Sequence, residues 1–342
     1  MKKIVFIITK SEVGGAQMWV YEIKKMLEKE YEFYLITSDY GWLTDKFEEK
    51  NVFIIPNIAK LYKPFTFISI AKILRKLSAD TVISSSANAG IYARLSKLLY
   101  SHKSIYVSHG WSCIYNGGKF KKIFCFVEKY LSYMTDKILC VSKSDVDKAI
   151  DTIRIKPNKI TKITNSIFPK SLKENINEIK RIIFVGRLTY PKRPELIINV
   201  ASKIPNITLY IVGDGDYLFS LKQQYKNSEN IFFTGEIADF DDYKNFDIFV
   251  LCSDSEGLPM SAIEAGSAGL PLLLSNVGGC HELIFDQETP NGILFENNQE
   301  SLEYSLHKIL DNYNLFFDSA QNKKHLFDIS NNKDAYINFF EK

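Results

Sequence analysis

Short apolar runs rich in Ile, Val and Phe alternate along the chain with segments in which apolar residues recur every three or four positions. This alternation predicts parallel strands connected by helices, because strands buried on both faces appear as continuous apolar runs. In the first half the predicted helices cover 16–30, 65–77, 89–99 and 119–134. The predicted strands there are IVFIIT, EFYLIT, VFIIP, TVISSS, SIYVSH, KILCVS and KITKITN.

A polar segment separates this series from a second one. The sequence PKSLKENINEIK, at 169–180, has no clear apolar stripe and predicts a linker. The strand-like runs that follow it are RIIFVG, ITLYIVG, IFFTG, DIFVLCS and PLLLS, again with helical patterns between them. The final stretch, DAYINFFEK, is helical in period and aromatic on one side, so we expect it to pack back on the first domain.

The predicted fold class is α/β, with two Rossmann-like domains facing a deep cleft. Ligands are expected at the carboxyl ends of the strands and therefore in that cleft. A length of 342 residues suits two domains of ordinary size. We predict a first domain at 1–168, the linker at 169–180, a second domain at 181–325 and a C-terminal helix at 326–342.

The composition is that of a globular protein, with 46% hydrophobic and 24% charged residues. The opening apolar run is shorter than the apolar core of a secretory signal, and no later run reaches the length of a membrane-spanning helix. Five scattered cysteines suit a reducing compartment and give neither a disulfide framework nor a zinc site. We therefore expect a soluble, cytoplasmic protein.

The net charge of +3 conceals an asymmetry between the two halves. Residues 1–170 hold 28 Lys and Arg against 15 Asp and Glu, a charge of +13, whereas residues 171–342 carry −10. A basic half of this kind favours contact with an anionic membrane surface or a nucleic acid. No nucleic-acid-binding motif accompanies the basic residues, so we do not expect a nucleic-acid partner.

One basic segment, 116–134, combines lysines with aromatic residues at helical spacing. Its aromatic stripe has two readings: it packs on the core, or it faces outward and adsorbs to anionic lipid. The residues concerned are Lys119, Lys121, Lys122, Lys129, Phe120, Phe124, Phe126 and Tyr130.

Two cations follow the first strand of the second series, in VGRLTYPKRPE. Arg187 and Lys192 lie in a loop that leads into a helix near Pro194. Cations at a strand end beside a helix N-terminus make a plausible diphosphate site. The alternative is that both are ordinary solvated surface residues.

Two acids stand eight positions apart in the apolar stretch SDSEGLPMSAIEAGSAG. Glu256 falls in the turn after a strand, and Glu264 falls on the next helix. Buried carboxylates need partners, either in the protein or in a ligand. A carboxylate accepts two hydrogen bonds well from a ribose diol, so we expect both acids to be partnered by a ligand; the alternative is that they cap neighbouring backbone.

These motifs together resemble the family-4 retaining glycosyltransferases of the GT-B fold, of the bacterial surface-polysaccharide type. The signature of that family, a Glu, seven residues and a second Glu, is matched by EGLPMSAIE. The resemblance extends over nearly the whole chain. The other matching motifs are EVGGAQ, SHGWS, VSKS, VGRLTYPKRPE, VGDGDYL, FTGEI and SNVGGCHELI followed by NGILF.

The resemblance implies that the first domain binds the acceptor and the second binds a nucleotide-sugar. Arg187 and Lys192 would neutralise its diphosphate, Glu264 would hold the ribose, and Glu256 would lie beside the donor sugar. His109 would reach the sugar from the first domain, so that the implied catalytic residues are Glu256, His109, Arg187 and Lys192. The implied donor-binding residues are Gly14, Gly15, Gly186, Arg187, Lys192, Glu256, Gly257, Leu258 and Glu264.

The implied reaction moves a hexose or N-acetylhexosamine from a nucleotide-sugar to a glycan or polyprenyl-linked acceptor. We expect the nucleotide-sugar to be a UDP-sugar. We expect no metal and no cofactor. A competing reading takes Asp214 and Asp216 of GDGD as an Asp-x-Asp metal site. Another takes the chain as a non-catalytic sugar-nucleotide or glycan-binding protein on the same fold. The sequence leaves the sugar, the base and the linkage open.

Overall fold

The structure, a computed structural model, describes residues 1–60, 63–115 and 117–341. Asn116, which begins the basic segment, and Lys342, which ends the predicted C-terminal helix, lie outside the described residues. The chain divides into two compact units. The first unit comprises Met1–Asn165 and the chain from Ser330 onward, and the second unit comprises Ser166–Ile329.

The first unit contains a parallel sheet with the strand order β3-β2-β1-β4-β5-β6-β7 within the described residues. The inner strands are buried on both faces, which explains why their sequences are continuous apolar runs. The strands are β1 Lys2–Ile7, β2 Tyr31–Thr37, β3 Val52–Ile54, β4 Thr81–Ser84, β5 Lys103–Ser108, β6 Lys137–Cys140 and β7 Ile160–Lys162. The helices are α1 Gly15–Leu27, α2 Thr66–Leu77, α3 Ala87–Ser96, α4 Ser112–Tyr115, α5 Lys121–Tyr133 and α6 Lys143–Asp147.

The second unit contains another parallel sheet, with the order β10-β9-β8-β11-β12-β13. Its strands are β8 Lys180–Val185, β9 Ile207–Val212, β10 Ile231–Gly235, β11 Ile248–Leu251, β12 Leu272–Ser275 and β13 Gly292–Phe295. The helices are α7 Pro194–Ala201, α8 Leu218–Gln224, α9 Met260–Ser267, α10 Gln299–Asp311 and α11 Tyr313–Lys323. In both sheets the strand order reverses beside the first strand of the unit, the position at which doubly wound folds bind ligands.

The last helix, α12 Lys333–Glu341, packs in the first unit. The Trp19 indole N–H donates to the Tyr336 hydroxyl at 3.0 Å. Lys103 and Lys137 donate to the carbonyls of Phe340 and Phe339, at 2.7 and 3.0 Å. These lysines satisfy carbonyls that a helix C-terminus leaves unpaired, and their charge complements the helix dipole.

The helix predicted at 326–342 begins later than expected, at Lys333. Residues 327–329 are instead held against residue 167 by backbone hydrogen bonds, from Ile167 N–H to the Phe327 carbonyl and from Ile329 N–H to the Ile167 carbonyl. The residues between this pairing and α12 form a short 3₁₀ turn.

The segment predicted as a linker has no helix or strand before β8, but it is not a solvated spacer. Lys173 and Asp247 form an ion pair at 3.2 Å in which both side chains are buried. Asp247 also accepts hydrogen bonds from the Asn177 side chain and the Arg181 N–H, each at 2.8 Å. A buried carboxylate with this many donors is well satisfied, so the segment belongs to the fold of the second unit.

Within the part of the chain that the structure describes, no helix is both long enough and apolar enough to cross a membrane.

Candidate active site

The loops after β8 and β11 join at the carboxyl edge of the second sheet. These strands are neighbours in the sheet, so their following loops emerge side by side. Backbone bonds tie the two loops together, from the Arg193 N–H to the Cys252 carbonyl and from the Asp254 N–H to the Pro191 carbonyl, both at 2.9 Å. Lys192 and Ser253 form an antiparallel bridge between them. This pairing brings the predicted cation loop and the predicted glutamate loop into direct contact.

Lys192 and Glu256 form a largely shielded ion pair, with side chains 17% and 10% exposed. Glu256 follows β11 and Lys192 precedes α7, so the contact is a product of the loop pairing. Lys192 also lies over Gly186, because its Cε is only 3.7 Å from where a Cβ on Gly186 would stand. The protein itself therefore supplies a cation to Glu256, and contact of this carboxylate with a ligand stays a prediction.

Glu264 lies on α9 and also has a protein partner. The hydroxyl of Tyr243 donates to its Oε2 at 2.6 Å, and both side chains are buried. Burial, reinforced by the neighbouring carboxylate, raises the pKa of Tyr243 well above its usual value, which keeps that hydroxyl protonated and donating. Glu264 therefore has a partner within the protein, its contact with a ligand stays a prediction, and Tyr243 is a neighbouring residue that the sequence did not indicate.

The turn that contains Asp214 and Asp216 is hydrogen-bonded to the loop that carries Arg187. Leu188 N–H donates to the Asp214 carbonyl at 2.8 Å, and the Asp216 carboxylate accepts from the Thr189 hydroxyl at 3.1 Å. The Asp214 carboxylate accepts from its neighbouring Gly215 N–H. The described residues contain no group of three or more His, Cys, Asp or Glu side chains that could hold a metal ion.

Arg187 is exposed at the same edge, and no ion pair within the described ranges involves it. Gly257 and Leu258 lie just before α9, with Leu258 buried and Pro259 at the N-cap position. The first-turn amides of α9 thus begin beside the Lys192–Glu256 pair. A helix N-terminus with a lysine beside it is chemically suited to an anionic group such as a phosphate.

His109, Gly14 and Gly15 lie in the first unit. Gly14 is the N-cap of α1 and Gly15 its first residue. His109 follows β5, and its ring meets Trp19 edge-on, with the ring centroids 5.4 Å apart.

The two ring nitrogens of His109 are shielded from solvent, and neither has a hydrogen-bond partner among the described residues. Burial lowers the pKa of His109 to about 3. The imidazole is therefore neutral near pH 7, and it can donate from one nitrogen and accept at the other.

Comparison with known proteins identifies the class. Residues 168–325 match the family model described as "Glycosyl transferases group 1", and residues 13–170 match that of "Glycosyltransferase Family 4". The chain therefore belongs to the glycosyltransferases that these two models describe. The family resemblance and the GT-B fold class inferred from the sequence are confirmed.

Among its relatives, the O-antigen biosynthesis glycosyltransferase WbnH of Escherichia coli is 52% identical over 98% of both chains. A second E. coli relative, UDP-Gal:alpha-D-GlcNAc-diphosphoundecaprenol alpha-1,3-galactosyltransferase, is 28% identical over 91% of this chain and 88% of its own. The crystal structure of HepE from Anabaena with UDP-glucose superposes with a TM-score of 0.85 at 16% identity, covering 99% of each chain. That likeness concerns the fold alone.

Proposed function

We propose that this glycosyltransferase moves a hexose or N-acetylhexosamine from a UDP-sugar to a glycan or polyprenyl-linked acceptor during O-antigen biosynthesis, with retention of anomeric configuration and without a metal. The observation that carries the proposal is the placement of Lys192 and Glu256 at the N-terminus of α9, with Glu264 on that helix. The names of the two E. coli relatives support the pathway and the UDP-linked donor.

In this mechanism the second unit stabilises the departing nucleotide. Lys192, Arg187 and the first-turn amides of α9, with those of Gly257 and Leu258, bind the diphosphate. Negative charge grows there as the bond to the sugar breaks, and donors already in place stabilise that charge more strongly in the transition state than in the ground state.

The two glutamates have separate tasks. Glu264 is held by Tyr243, leaving its carboxylate oriented to accept from the ribose hydroxyls. Glu256 lies beside the donor sugar, at its 3-hydroxyl, and Lys192 leaves it for the diphosphate when the donor binds. His109, being neutral, binds a sugar hydroxyl, and Gly14 and Gly15 let the start of α1 approach the diphosphate.

We further propose that the protein works at the cytoplasmic face of an anionic membrane, through the outer face of α5. The aromatic residues of the basic segment point outward: Phe120 is 62%, Phe124 43% and Phe126 59% exposed. The reading in which they pack on the core is wrong for these three. The other exposed apolar residues on this face are Ile123, Val127, Tyr130 and Tyr133.

The inner face of α5 is fixed by a buried ion pair instead. Arg94 of α3 donates to both carboxylate oxygens of Glu128, at 2.8 and 3.2 Å, and Cys125 and Leu131 are buried beside it. With that face anchored, an apolar surface flanked by Lys119, Lys121 and Lys122 remains open. Aromatic side chains among lysines suit a bilayer interface with anionic headgroups.

Membrane binding is tested by reversing two of these charges. Each lysine near an anionic surface contributes about 1 kcal/mol, so Lys121→Glu with Lys122→Glu should weaken binding to anionic vesicles by at least roughly 30-fold. Flotation with phosphatidylglycerol vesicles at low and high salt measures it. The matched control is Lys72→Glu with Lys76→Glu, an equal charge change on the exposed side of α2. Equal binding by the two variants, or none by the unaltered protein, would refute the membrane proposal.

The donor is tested by calorimetry with UDP, GDP, ADP and dTDP, followed by product analysis with the matching nucleotide-sugars. We expect UDP to bind most tightly and an α-linked product from an α-linked donor. EDTA should leave turnover within about twofold, because lysine, arginine and helix amides supply the positive charge. Binding of UDP without any transfer would favour the non-catalytic alternative, and loss in EDTA restored by Mn²⁺ would refute metal independence.

A further inference from the structure

Gly278, in the loop after β12, lies against the backbone of Glu256. Its φ of +55° is in the left-handed region that favours glycine. A Cβ placed on it would stand 1.8 Å from the Glu256 carbonyl oxygen and 2.7 Å from the carbonyl carbon. These contacts are with backbone atoms, so no side-chain rotation could relieve them. Any larger residue at 278 must push one loop away from the other.

One backbone hydrogen bond joins the two loops, and two further hydrogen bonds fix the shape of the loop that carries Gly278. The Gly279 N–H donates to the Gly257 carbonyl at 2.8 Å, directly beside Glu256. The ring Nδ1 of His281 bonds the Gly278 carbonyl at 3.0 Å, and the Cys280 N–H donates to the Val277 carbonyl at 3.1 Å. Cys280 is fully buried, so the segment cannot easily retreat toward the core. We call residues 277–281 the brace.

We infer that Gly278 is a positioning residue for the transfer reaction: through the brace it sets where the Glu256 carboxylate and the Gly257 amide stand relative to the donor. This inference rests on the proposed function, which assigns those two groups to the donor. A Cβ at 278 needs more than roughly 1 Å of backbone displacement to reach van der Waals distance. A misplacement of about 1 Å at a catalytic group can cost about 100-fold in rate.

The brace should affect transfer more than nucleotide binding. Glu264 is held by Tyr243, and Arg187 is exposed in the loop after β8. The three atoms nearest to a Cβ at 278 all belong to Glu256, so we expect Glu264 and Arg187 to keep their positions. Gly278→Ala is therefore expected to lower kcat about 100-fold while the Kd for UDP changes less than about fivefold. A merely structural role would lower kcat, UDP binding and Tm together.

The matched control is Gly118→Ala. Gly118 has nearly the same backbone conformation, with φ of +48°, but a Cβ there would meet nothing within 4 Å. Both variants therefore carry the same left-handed strain, and only Gly278→Ala adds the push on Glu256. The nucleotide-sugar for this assay is the one whose nucleotide binds most tightly in the calorimetry. The rate of UDP release from it should stay within about twofold of the unaltered protein for Gly118→Ala. Equal loss in the two variants would overturn the inference.

A second variant covers the case in which Gly278→Ala does not fold. His281→Ala removes the hydrogen bond to the Gly278 carbonyl from an exposed side chain, and it should lower kcat severalfold with unchanged UDP binding. Unchanged kcat in His281→Ala, or in a folded Gly278→Ala, overturns the inference. Absence of turnover in the unaltered protein with every nucleotide-sugar would instead contradict the proposed function.

Discussion

Replacing Lys192 by Met is expected to lower kcat/KM by roughly 30- to 1000-fold, corresponding to about 2 to 4 kcal/mol of transition-state stabilisation. The variant loses a cation at the diphosphate and also leaves Glu256 without its ion-pair partner in the free enzyme. Arg187→Met should have an effect in the same range, because Arg187 is exposed at the same strand edge. Steady-state kinetics with the selected nucleotide-sugar measures both.

Arg193 offers a matched control for Lys192, because it is the next residue and carries the same charge. Its guanidinium is paired with Glu195 at 2.6 Å and with Asp254 at 3.4 Å, both partially exposed contacts of small energetic value. Arg193→Met should therefore keep kcat/KM within about threefold. A loss in Arg193→Met as large as that in Lys192→Met would show that removal of any local charge suffices, and it would refute the assigned role of Lys192.

Glu256→Gln and Glu264→Gln should separate transfer from binding. Glu256→Gln is expected to lower turnover roughly 100-fold or more, yet to bind free UDP at least as well as the unaltered protein, since Lys192 no longer has a competing carboxylate. Glu264→Gln should weaken UDP binding itself, because its amide has one neutral acceptor oxygen in place of two anionic ones. Calorimetry with UDP and kinetics with the nucleotide-sugar measure the two effects.

Tyr243→Phe provides the control for Glu264. This change keeps the carboxylate but removes the hydroxyl that orients it, so UDP binding should weaken less than in Glu264→Gln. Were Glu256→Gln and Glu264→Gln to weaken UDP binding equally, the division of tasks between the two acids would be untenable.

The sequence predicted the parallel sheets because most of their strands are short, continuous apolar runs that need no tertiary information to recognise. It did not predict β13, whose residues Gly292–Phe295 form a four-residue run beginning with glycine and only partly buried. Such a run has too little periodicity to distinguish a strand from a turn. Helices α10 and α11 were also missing from the prediction, although Leu302, Leu306 and Ile309 of α10 stand at helical spacing.

The sequence could predict which loops form the site, because the positions of the strand ends determine which loops lie side by side. Loops after neighbouring parallel strands emerge together, which placed Lys192 near Glu256 once strands β8 and β11 were recognised. The contact itself depends on the backbone pairing between the loops, which no sequence pattern encodes. Tyr243 was beyond prediction because it comes from a 3₁₀ turn before β11 and reaches Glu264 only through the packing of α9.

The orientation of α5 shows why periodicity alone could not decide its face. The segment is apolar around much of its circumference, and hydrophobicity would normally place Phe124 inside and Glu128 outside. The structure has the reverse, because Arg94 supplies a bidentate partner that makes burial of Glu128 acceptable. A long-range ion pair of this kind becomes visible only when both helices are in place.

The buried pair of Lys173 and Asp247 determines where the second unit could be cut from the rest of the chain. A fragment starting at β8 would lack Lys173 and Asn177 and would keep Asp247 at the base of its sheet as an uncompensated buried charge, a defect that typically costs about 3 to 5 kcal/mol. A fragment starting at Ser166 would retain both partners. Independent folding of this half therefore depends on residues that have no helix or strand of their own.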